Sequence, residues 1–410
     1  MNTYSYIADG QDEAAHYAAL SARFQPVFDR IAEGAVTRET NRTLPHEPIA
    51  WLKEAGFTRI RVPQAHGGDG ASITVQARLL IDLAEADSNI PQALRAHVSM
   101  VEDALNRPAD EAAPWLRRFA AGETFGSAWT ELGNAQGEVQ TRLRPDGAGG
   151  WLLSGQKFYS TGTLFADWID VFARDGETGA DVIALVPAKA AGVTRVDDWK
   201  GFGQSLTGSG TTRFEAVRLT ADQVVPFRAR FTYQTAFYQL ILNITQAGIA
   251  RATLRDGAGA VRARRRGFSH ASAALPAEDP QIQQVIGRLS VTAFAVEAAV
   301  LASARSLDAV YEALSTGAPA EVLIIRAELD AGRAQALASQ LVPAAATQFF
   351  DALGASATDR DAALDRHWRN SRTIAQHNPA IFKERVIGDH AINGTPPVGL
   401  WQVGEVAAKA

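Results

Sequence analysis

The sequence predicts an α+β protein built from three consecutive domains. We place an N-terminal helical domain at residues 1–122 and a central antiparallel β-barrel or sandwich at 123–230. A C-terminal four-helix bundle with an irregular tail occupies 231–410. Two observations favour this order. Apolar residues recur at helical spacing in both flanking regions, whereas the central region consists of short runs separated by turn residues.

Apolar stripes indicate the flanking helices. In ITVQARLLIDLAEA, apolar residues from Ile73 to Ala84 recur at helical spacing, which predicts a helix after the glycine-rich loop of residues 62–72. A longer stripe from Ile282 to Val300 predicts a long bundle helix. A second bundle helix follows in EVLIIRAELDAGRAQALASQLVPAAATQFFDAL, and we expect Pro343 to interrupt it, because proline removes a helical hydrogen bond.

Turn residues separate the candidate strands of the central domain. The stretch QTRLRPDGAGGWLLSG turns at Pro145-Asp146-Gly147 and resumes at Trp151. Further candidate strands are WIDVFA, DVIALVP and TTRFEAVRL. Short strands at this spacing are typical of a small antiparallel barrel or sandwich.

The composition limits the partners that the protein could have. A net charge of −5 gives no electrostatic reason to expect nucleic acid or an anionic membrane as a partner. We see no apolar run near the roughly 20 residues that a bilayer span needs. The first residues also lack the basic-then-apolar order of a signal peptide. We therefore expect a cytoplasmic protein.

The sulfur content is low, with no cysteine and two methionines, Met1 and Met100. Disulfides, thiolate metal sites and cysteine nucleophiles are excluded by this composition, and we expect no metal site. Compositional drift would explain the low content. Synthesis under sulfur scarcity would also explain it, as would avoidance of thioethers near an oxidising centre.

Four motifs add to the order of domains. They are SAWTELGN (127–134), GWLLSGQKFYSTGTLFADW (150–168), RRRGFSH (264–270) and QFFDALGAS (348–356). Together they resemble, in the same order, segments of the acyl-CoA dehydrogenase superfamily. The first two resemble the segments beside the flavin ring, the third resembles the phosphate-contacting segment from a neighbouring subunit, and the fourth resembles the segment that holds the adenosine of FAD.

Within that superfamily the chain is similar to flavin-dependent monooxygenases of sulfur compounds, which include dibenzothiophene and methanesulfinate monooxygenases. The similar stretches are KFYSTGTLFADW, DDWKGFGQSLTGSGTTRF, HWRNSRTIAQHNP and VIGDHAINGTPP. The resemblance implies a homotetramer that uses O2 and FMNH2 from a separate NAD(P)H-dependent flavin reductase. It further implies oxidation of a small alkanesulfinate or thioether, in sulfur acquisition, through a flavin C4a-hydroperoxide.

Other functions stay open at this point. They are an FAD-dependent acyl-CoA dehydrogenase, a flavin monooxygenase acting on nitrogen or aromatic carbon, and a scaffold that has lost its chemistry. A dehydrogenase of this fold needs a carboxylate base, and the stretch that resembles its position reads His377-Asn378-Pro379. The missing Gly-Gly pair at 353–355 favours FMN over FAD.

The resemblance also assigns residues to the flavin. Thr161, or alternatively Ser160, would supply a hydroxyl near the flavin N5 atom. Arg265 would contact the FMN phosphate from a neighbouring subunit, although an isolated arginine run is ordinarily solvated. Arg369 and Arg372 suit a phosphate or sulfinate, although a salt-bridged helix face is the commoner environment. The remaining expected flavin contacts are Trp129, Thr130, Asn134, Tyr159 and Ser209.

Two histidines are candidates for catalysis. His377 would donate to the peroxide or shuttle a proton, and the alternative is a histidine that bonds the carbonyls of a helix end. His97 would face the substrate, and the alternative is a histidine satisfied within helix packing. We expect Val101, Trp199 and Asn378 to line the substrate pocket beside His97.

Overall fold

The structure is a computed structural model that describes residues 10–399. Residues 1–9 and the part of the expected irregular tail after 399 lie outside the described residues, and 394–399 form neither helix nor strand. The α-helices in the described range are α1 (Gly10–Asn41), α2 (His46–Ala55), α3 (Ile73–Ala86), α4 (Asn89–Ala93), α5 (Arg95–Leu105), α6 (Ala109–Ala120), α7 (Gln234–Ala263), α8 (Pro280–Thr316), α9 (Glu321–Gln348), α10 (Arg366–Ala375) and α11 (Ala380–Asn393). The strands are β1 (Phe125–Ala128), β2 (Arg142–Pro145), β3 (Trp151–Lys157), β4 (Trp168–Asp175), β5 (Asp181–Pro187), β6 (Val193–Val196), β7 (Thr211–Leu219) and β8 (Val224–Pro226).

The helix predicted after residue 72 is α3, and its N-terminus is capped from two sides. The Ser72 hydroxyl accepts a hydrogen bond from the Val75 amide at 3.0 Å. The carboxylate of Asp308, on α8, accepts from the amides of Ile73 and Thr74 at 2.7 and 2.8 Å. These bonds satisfy amides that a helix start leaves without partners. They also join the N-terminal helices to the C-terminal bundle.

The central strands form one mixed sheet in the order β6-β7-β3-β2-β4-β5-β8, with β1 paired to β4. The predicted strands on both sides of the Pro145-Asp146-Gly147 turn are β2 and β3, which pair antiparallel. The expectation of a purely antiparallel domain was wrong, because β4 runs parallel to both β1 and β2. Sequence alternation reports which face of a strand is buried but carries no information about strand direction.

Three long helices, α7, α8 and α9, pack together in the C-terminal region, with α10 against α7 and α9 and α11 along α9. The expected interruption at Pro343 was wrong, since α9 continues through it to Gln348. Proline removes one helical hydrogen bond, and here Val342, Ala345 and Ala346 are buried on both sides of it. Burial of this apolar face holds the helix together through the lost bond.

The expectation that no apolar run approaches the length of a bilayer span was wrong for α8, the helix predicted from the stripe that begins at Ile282. An 18-residue window within Pro280–Thr316 has a mean hydropathy of 1.7, so that the helix is long and apolar enough to cross a membrane. Length and composition do not distinguish such a span from a bundle helix. In the described chain α8 packs against α7 and α9, with Leu289, Val296 and Val300 buried, while Val291 and Phe294 are exposed.

The loop between β6 and β7 docks the sheet onto both helical regions. The amide of Gln204 donates to Asn370 Oδ1 on α10 at 2.5 Å, and the amide of Leu206 donates to Asn89 Oδ1 on α4 at 3.3 Å. Gly203 lies against α10 so closely that a Cβ there would be 2.1 Å from the Arg369 carbonyl oxygen. This loop and the ends of β1 and β3 therefore meet the helices at one place.

Candidate functional site

The segment after β3 leaves the sheet through a strained turn at Tyr159. This residue has a φ of 57°, a left-handed conformation that bulky side chains rarely adopt. Its ring is exposed and lies 5.6 Å from that of Trp199, whose indole donates to the Gly203 carbonyl at 3.1 Å. Strain of this kind is found at ligand sites, where the surrounding structure holds it in place. Trp199 thus stands beside Tyr159, at the edge of the docking loop.

Thr161 begins a chain of hydroxyl groups. Its Oγ1 lies 2.8 Å from Ser209 Oγ, and Ser209 Oγ lies 2.7 Å from Thr207 Oγ1. Thr207 donates its single hydroxyl proton to the Gln204 carbonyl at 2.9 Å. Each hydroxyl has one proton, so Ser209 donates to Thr207, and Thr161 donates to Ser209 or, over a longer 3.4 Å, to the Tyr159 carbonyl. The lone pairs of Thr161 Oγ1 are therefore left to accept a hydrogen bond from elsewhere.

Ser160, the alternative to Thr161, is not part of this chain of hydroxyl groups. Its side chain is fully buried, and its hydroxyl oxygen has no hydrogen-bond partner within the described residues. Of the two adjacent hydroxyls, Thr161 is the one that joins Ser209, the residue expected to contact the flavin. The assignment of either group to the flavin stays a prediction.

A buried ion pair braces the neighbouring segment. Lys157 Nζ donates to Glu131 Oε1 at 2.6 Å and to the Trp129 carbonyl at 3.1 Å. Burial raises the pKa of Glu131, but Lys157 outweighs it and lowers that pKa to about 2. Glu131 also accepts from the side-chain amide of Asn134, and the Thr130 carbonyl accepts from the Phe158 amide at 2.8 Å. No role is predicted for Lys157 or Glu131 from the sequence, although Lys157 begins the motif KFYSTGTLFADW.

His377 approaches this region from the turn between α10 and α11. Its Nε2 lies 3.2 Å from Arg95 Nη2. A guanidinium can only donate, so Nε2 carries the lone pair and the proton of the neutral ring is on Nδ1. Desolvation of the ring by neighbouring protein, followed by the charge of Arg95, lowers the pKa of His377, although the residue as a whole is exposed to solvent. The ring is therefore a neutral acceptor at neutral pH, and the expected proton transfer stays a prediction.

Asn378 anchors the same turn to the bundle. Its side-chain amide donates to Gln239 Oε1 on α7 at 2.9 Å, and its carbonyl accepts from the Gln335 amide on α9. These contacts fix the backbone next to His377. The expected place of Asn378 in a substrate pocket stays a prediction, since its side-chain amide is engaged with α7.

Arg95, at the start of α5, joins the two sides of the site. Its guanidinium lies 5.6 Å from the centre of the Tyr238 ring, and that ring lies 5.8 Å from the ring of Trp129. Gly162 packs on the turn just before Arg95, where a Cβ would lie 2.2 Å from the Ala93 carbonyl oxygen. Sequence reasoning missed Arg95 and Tyr238, because the available signal, RAHVSMVEDAL, drew attention to its histidine instead.

His97 lies apart from these groups, in a small cavity among the N-terminal helices that Val101 also lines. Its Nε2 donates to the Thr58 carbonyl at 2.6 Å, and its ring packs edge-on against Phe119. Burial lowers the pKa of His97 to about 4. This environment favours the alternative of a histidine satisfied within helix packing. The substrate-facing roles of His97 and Val101 stay predictions.

The expected arginines occupy different environments. Arg369 donates to Glu39 Oε1 and to Asp365 Oδ2, each at 2.8 Å, which favours the salt-bridged alternative over a phosphate contact. Arg372, on the same helix, is half-buried. Arg265 is exposed in the loop between α7 and α8, whereas its neighbour Arg264 donates to the Leu353 carbonyl. The exposed Arg265 is free to meet another copy of the chain, but its phosphate contact stays a prediction.

The fold and this site define a member of the acyl-CoA dehydrogenase family, and the chain belongs to it. The model of the N-terminal domain of acyl-CoA dehydrogenase matches residues 22–123, and the model of its C-terminal domain matches residues 240–380. Among its relatives, a probable FMNH2-dependent monooxygenase of Pseudomonas putida is 29% identical over 90% of this chain and 93% of the relative. A dibenzothiophene monooxygenase of Mycolicibacterium goodii is 27% identical over 85% of this chain and 87% of the relative.

Solved structures share the fold. An FMN-bound protein of a Paenibacillus species, which is a dibenzothiophene monooxygenase, has a TM-score of 0.86 at 23% identity and covers 92% of this chain and 98% of its own. Methanesulfinate monooxygenase of Pseudomonas fluorescens has a TM-score of 0.84 at 24% identity, with 92% and 98% covered. The flanking helical regions and the central sheet therefore form an acyl-CoA dehydrogenase-like fold.

Proposed function

We propose that the protein is an FMNH2-dependent monooxygenase that oxidises the sulfur atom of a small organosulfur compound. The observation that carries this proposal is the direction of the hydroxyl chain. Thr161 Oγ1 donates to Ser209 and keeps its lone pairs free, so it suits the N5–H group of a reduced flavin. An oxidised flavin, whose N5 has no proton, would need a donor at the same place. The names of the relatives support the same function.

The residues present fit FMN. Thr161 and Ser209 would hold the N5 edge, while Tyr159 and Trp129 offer ring surfaces at the ends of the strands. Arg265, exposed in its loop, would reach the phosphate bound by a neighbouring copy. Arg264 donates to the carbonyl of Leu353, which lies in the segment that resembles an adenosine site. That segment therefore already contacts an arginine of its own chain. FMN therefore fits these residues better than FAD.

When bound, reduced FMN supplies the two electrons that activate O2 for transfer of one oxygen atom. The chain contributes position, proton control and the exclusion of water. Thr161 Oγ1 would accept a hydrogen bond from the N5–H group of the bound flavin, which would slow the loss of that proton to solvent. Lys157 and Glu131 fix the segment that carries Trp129, so that the indole keeps its place against Tyr238. His377, whose Nε2 already accepts from Arg95, holds that guanidinium in place beside the site.

The dehydrogenase alternative is not supported. Removal of a proton next to a thioester needs a carboxylate base, and Asn378 provides an amide that is already bonded to Gln239. A second oxygenase function is favoured by specific relatives, since an L-evernosamine nitrososynthase of Micromonospora is 31% identical over 54% of this chain. Oxidation of an amine is therefore the competing reaction to test.

The proposal implies partners and a location. A separate NAD(P)H-dependent flavin reductase would supply FMNH2 by diffusion, and O2 is the second substrate. We propose the cytoplasm as the location, where reduced nicotinamide is available to that reductase. The chemistry involves neither nucleic acid nor a membrane. The hydroxyl of Thr161 suits flavin that is reduced before it binds. The reductase therefore need not form a stable complex with this chain.

We also propose a homotetramer. Helix α8 leaves Val291 and Phe294 about 68% and 77% exposed, and Arg265 is exposed on the loop that precedes this helix. A second copy would cover the apolar face and bring Arg265 to the phosphate. Light scattering on the purified protein should give four times the monomer mass, and a monomer across micromolar concentrations would reject the assembly.

The function is tested by supplying the purified protein with FMNH2, isotopically labelled dioxygen and one candidate substrate at a time. A sulfinate, a sulfone, an aromatic sulfide and an amino sugar should be run in parallel. We expect one labelled oxygen atom in a sulfur product, detected by mass spectrometry. A labelled nitrogen product would favour the nitrososynthase-like function. Tight FAD binding with reduction by an acyl-CoA thioester and no O2 uptake would overturn the proposal.

A further inference from the structure

Arg95 is a half-buried cation with no carboxylate partner in the described part of the chain. Its Nη2 contacts His377, and its Nε is buried without any hydrogen-bond partner. Every buried arginine elsewhere in residues 10–399 pairs with a carboxylate. These arginines are Arg38, Arg61, Arg230 and Arg366. Withdrawing a guanidinium from water is costly unless an anion meets it. The contrast indicates that the counter-charge of Arg95 arrives with a ligand.

The position of Arg95 places that ligand at the proposed reaction site. Gly162, next to Thr161, packs against the carbonyl of Ala93, two residues before Arg95. The guanidinium shares the Tyr238 ring with Trp129, which lies at the flavin-edge strand end. The segment after β3 that carries Thr161 therefore packs tightly against the end of α4, directly before Arg95.

The buried carboxylates near the Tyr238 ring, Asp103 and Asp170, already lie beside another arginine. Arg230 lies 3.4 Å from Asp103 and 3.8 Å from Asp170, and it donates to the Tyr238 hydroxyl at 2.7 Å. Arg107 also pairs with Asp103, at 2.5 Å, so this buried group holds two guanidiniums and two carboxylates and is balanced in its own right. It leaves the charge of Arg95 uncompensated, so the wall formed by Arg95 and His377 is positive.

We propose that Arg95, assisted by His377, binds the anionic head group of the substrate, and that the substrate is therefore an alkanesulfinate rather than a neutral sulfide or sulfone. This inference rests on the proposed function. The adjacent Nε–H and Nη–H of one guanidinium edge match two oxygens of a sulfinate, as they match a carboxylate. A neutral substrate would leave the guanidinium unpaired.

The reaction balances with the partners already named. A sulfinate RSO2⁻, O2 and FMNH2 give the sulfonate RSO3⁻, FMN and water. One oxygen atom forms the new S–O bond at the lone pair of sulfur, and the other leaves as water with the two hydrogens of FMNH2. The sulfur is oxidised by two electrons, and the flavin supplies the other two. The head group stays anionic throughout, so Arg95 retains a counter-charge from substrate to product.

The test compares Arg95→Met, which keeps the length of the side chain, with Arg95→Lys, which keeps the charge. Arg333→Met is the matched control, because Arg333 pairs with Asp330 on the exposed face of α9. Binding of methanesulfinate, dimethyl sulfone and FMN to the full-length protein would be measured by calorimetry, and the KM for methanesulfinate by the labelled-oxygen assay. Thermal unfolding of every variant checks that it is folded.

We expect Arg95→Met to weaken methanesulfinate binding and raise its KM about 10- to 100-fold, with FMN binding unchanged. Arg95→Lys should recover part of that loss, and Arg333→Met should match the parent. Equal sulfinate binding by the parent and Arg95→Met would overturn the inference, as would a loss of FMN affinity, which would assign Arg95 to the phosphate. If Arg95→Met does not fold, Arg95→Lys becomes the test. A folded Arg95→Lys protein that binds sulfinate as tightly as the parent would then overturn the inference.

The two proposals fail in different ways. If the parent oxidises no sulfur compound but binds sulfinate through Arg95, the proposed function fails and the anion site stands. If the parent oxidises neutral sulfides and not sulfinates, the function stands and this inference fails.

Discussion

Replacing Thr161 by valine is expected to lower the yield of oxygenated product per FMNH2 consumed by about 100- to 1000-fold, with hydrogen peroxide released instead. Valine keeps the shape of the side chain and removes the oxygen that would accept the N5 proton. It also leaves Ser209 without its 2.8 Å partner. Product and peroxide would be measured together in the labelled-oxygen assay, because the prediction concerns their ratio rather than the total consumption of oxygen.

Thr253→Val is the matched control for this change. Thr253 is also a buried threonine, but its hydroxyl donates within α7, to the Ile249 carbonyl at 2.8 Å. We expect its ratio of product to peroxide to equal that of the parent. A Thr161→Val enzyme that remains coupled would remove Thr161 from the mechanism. If Ser160→Ala is the variant that uncouples, the hydroxyl of the flavin edge belongs to Ser160.

Replacing Glu102 by alanine is expected to destabilise the protein by about 3–5 kcal/mol. Both carboxylate oxygens of Glu102 accept from Arg61, at 2.9 and 3.1 Å, and Tyr233 donates to one of them. Glu102 and Arg61 are almost completely excluded from solvent. Removing the carboxylate takes away the acceptor that two nitrogens of the buried Arg61 guanidinium contact, and it also breaks the link between α5 and the segment that leads into α7.

Urea unfolding at a fixed protein concentration would measure this loss, because the proposed assembly would make the apparent stability depend on concentration. Asp69→Ala is the comparison, because Asp69 pairs with Arg23 at the surface. We expect that exposed pair to contribute within about 1 kcal/mol. A Glu102→Ala protein as stable as Asp69→Ala would mean that Arg61 finds water or another acceptor once Glu102 is gone.

Local sequence pattern predicted the elements well where one face of an element is buried. The stripe from Ile73 predicted α3, the stripe from Ile282 predicted α8, and the turn at Pro145-Asp146-Gly147 predicted the β2–β3 hairpin. It failed where a distant contact decides the outcome. Pro343 does not interrupt α9, because packing on both sides outweighs one lost hydrogen bond.

Some residues of the candidate site could be found from local sequence, and others could not. KFYSTG and HWRNSRTIAQHNP pointed to Thr161 and His377, since these motifs are short and contiguous in sequence. Arg95 carries no signal of that kind. It is a helix-start arginine like many others until the fold brings it within 3.2 Å of His377, 282 residues away.

The sequence by itself therefore determined the order of domains, the family resemblance and the residue types available for chemistry, because these depend on composition and on spacing along the chain. Only the tertiary structure decided which polar groups remain unpaired. In this structure Arg369 pairs with Glu39 and Asp365, and His97 donates to the Thr58 carbonyl. Arg95 has no carboxylate partner among residues 10–399. The pairing of a buried charge depends on neighbours that are close in space and distant in sequence, so no local pattern records it.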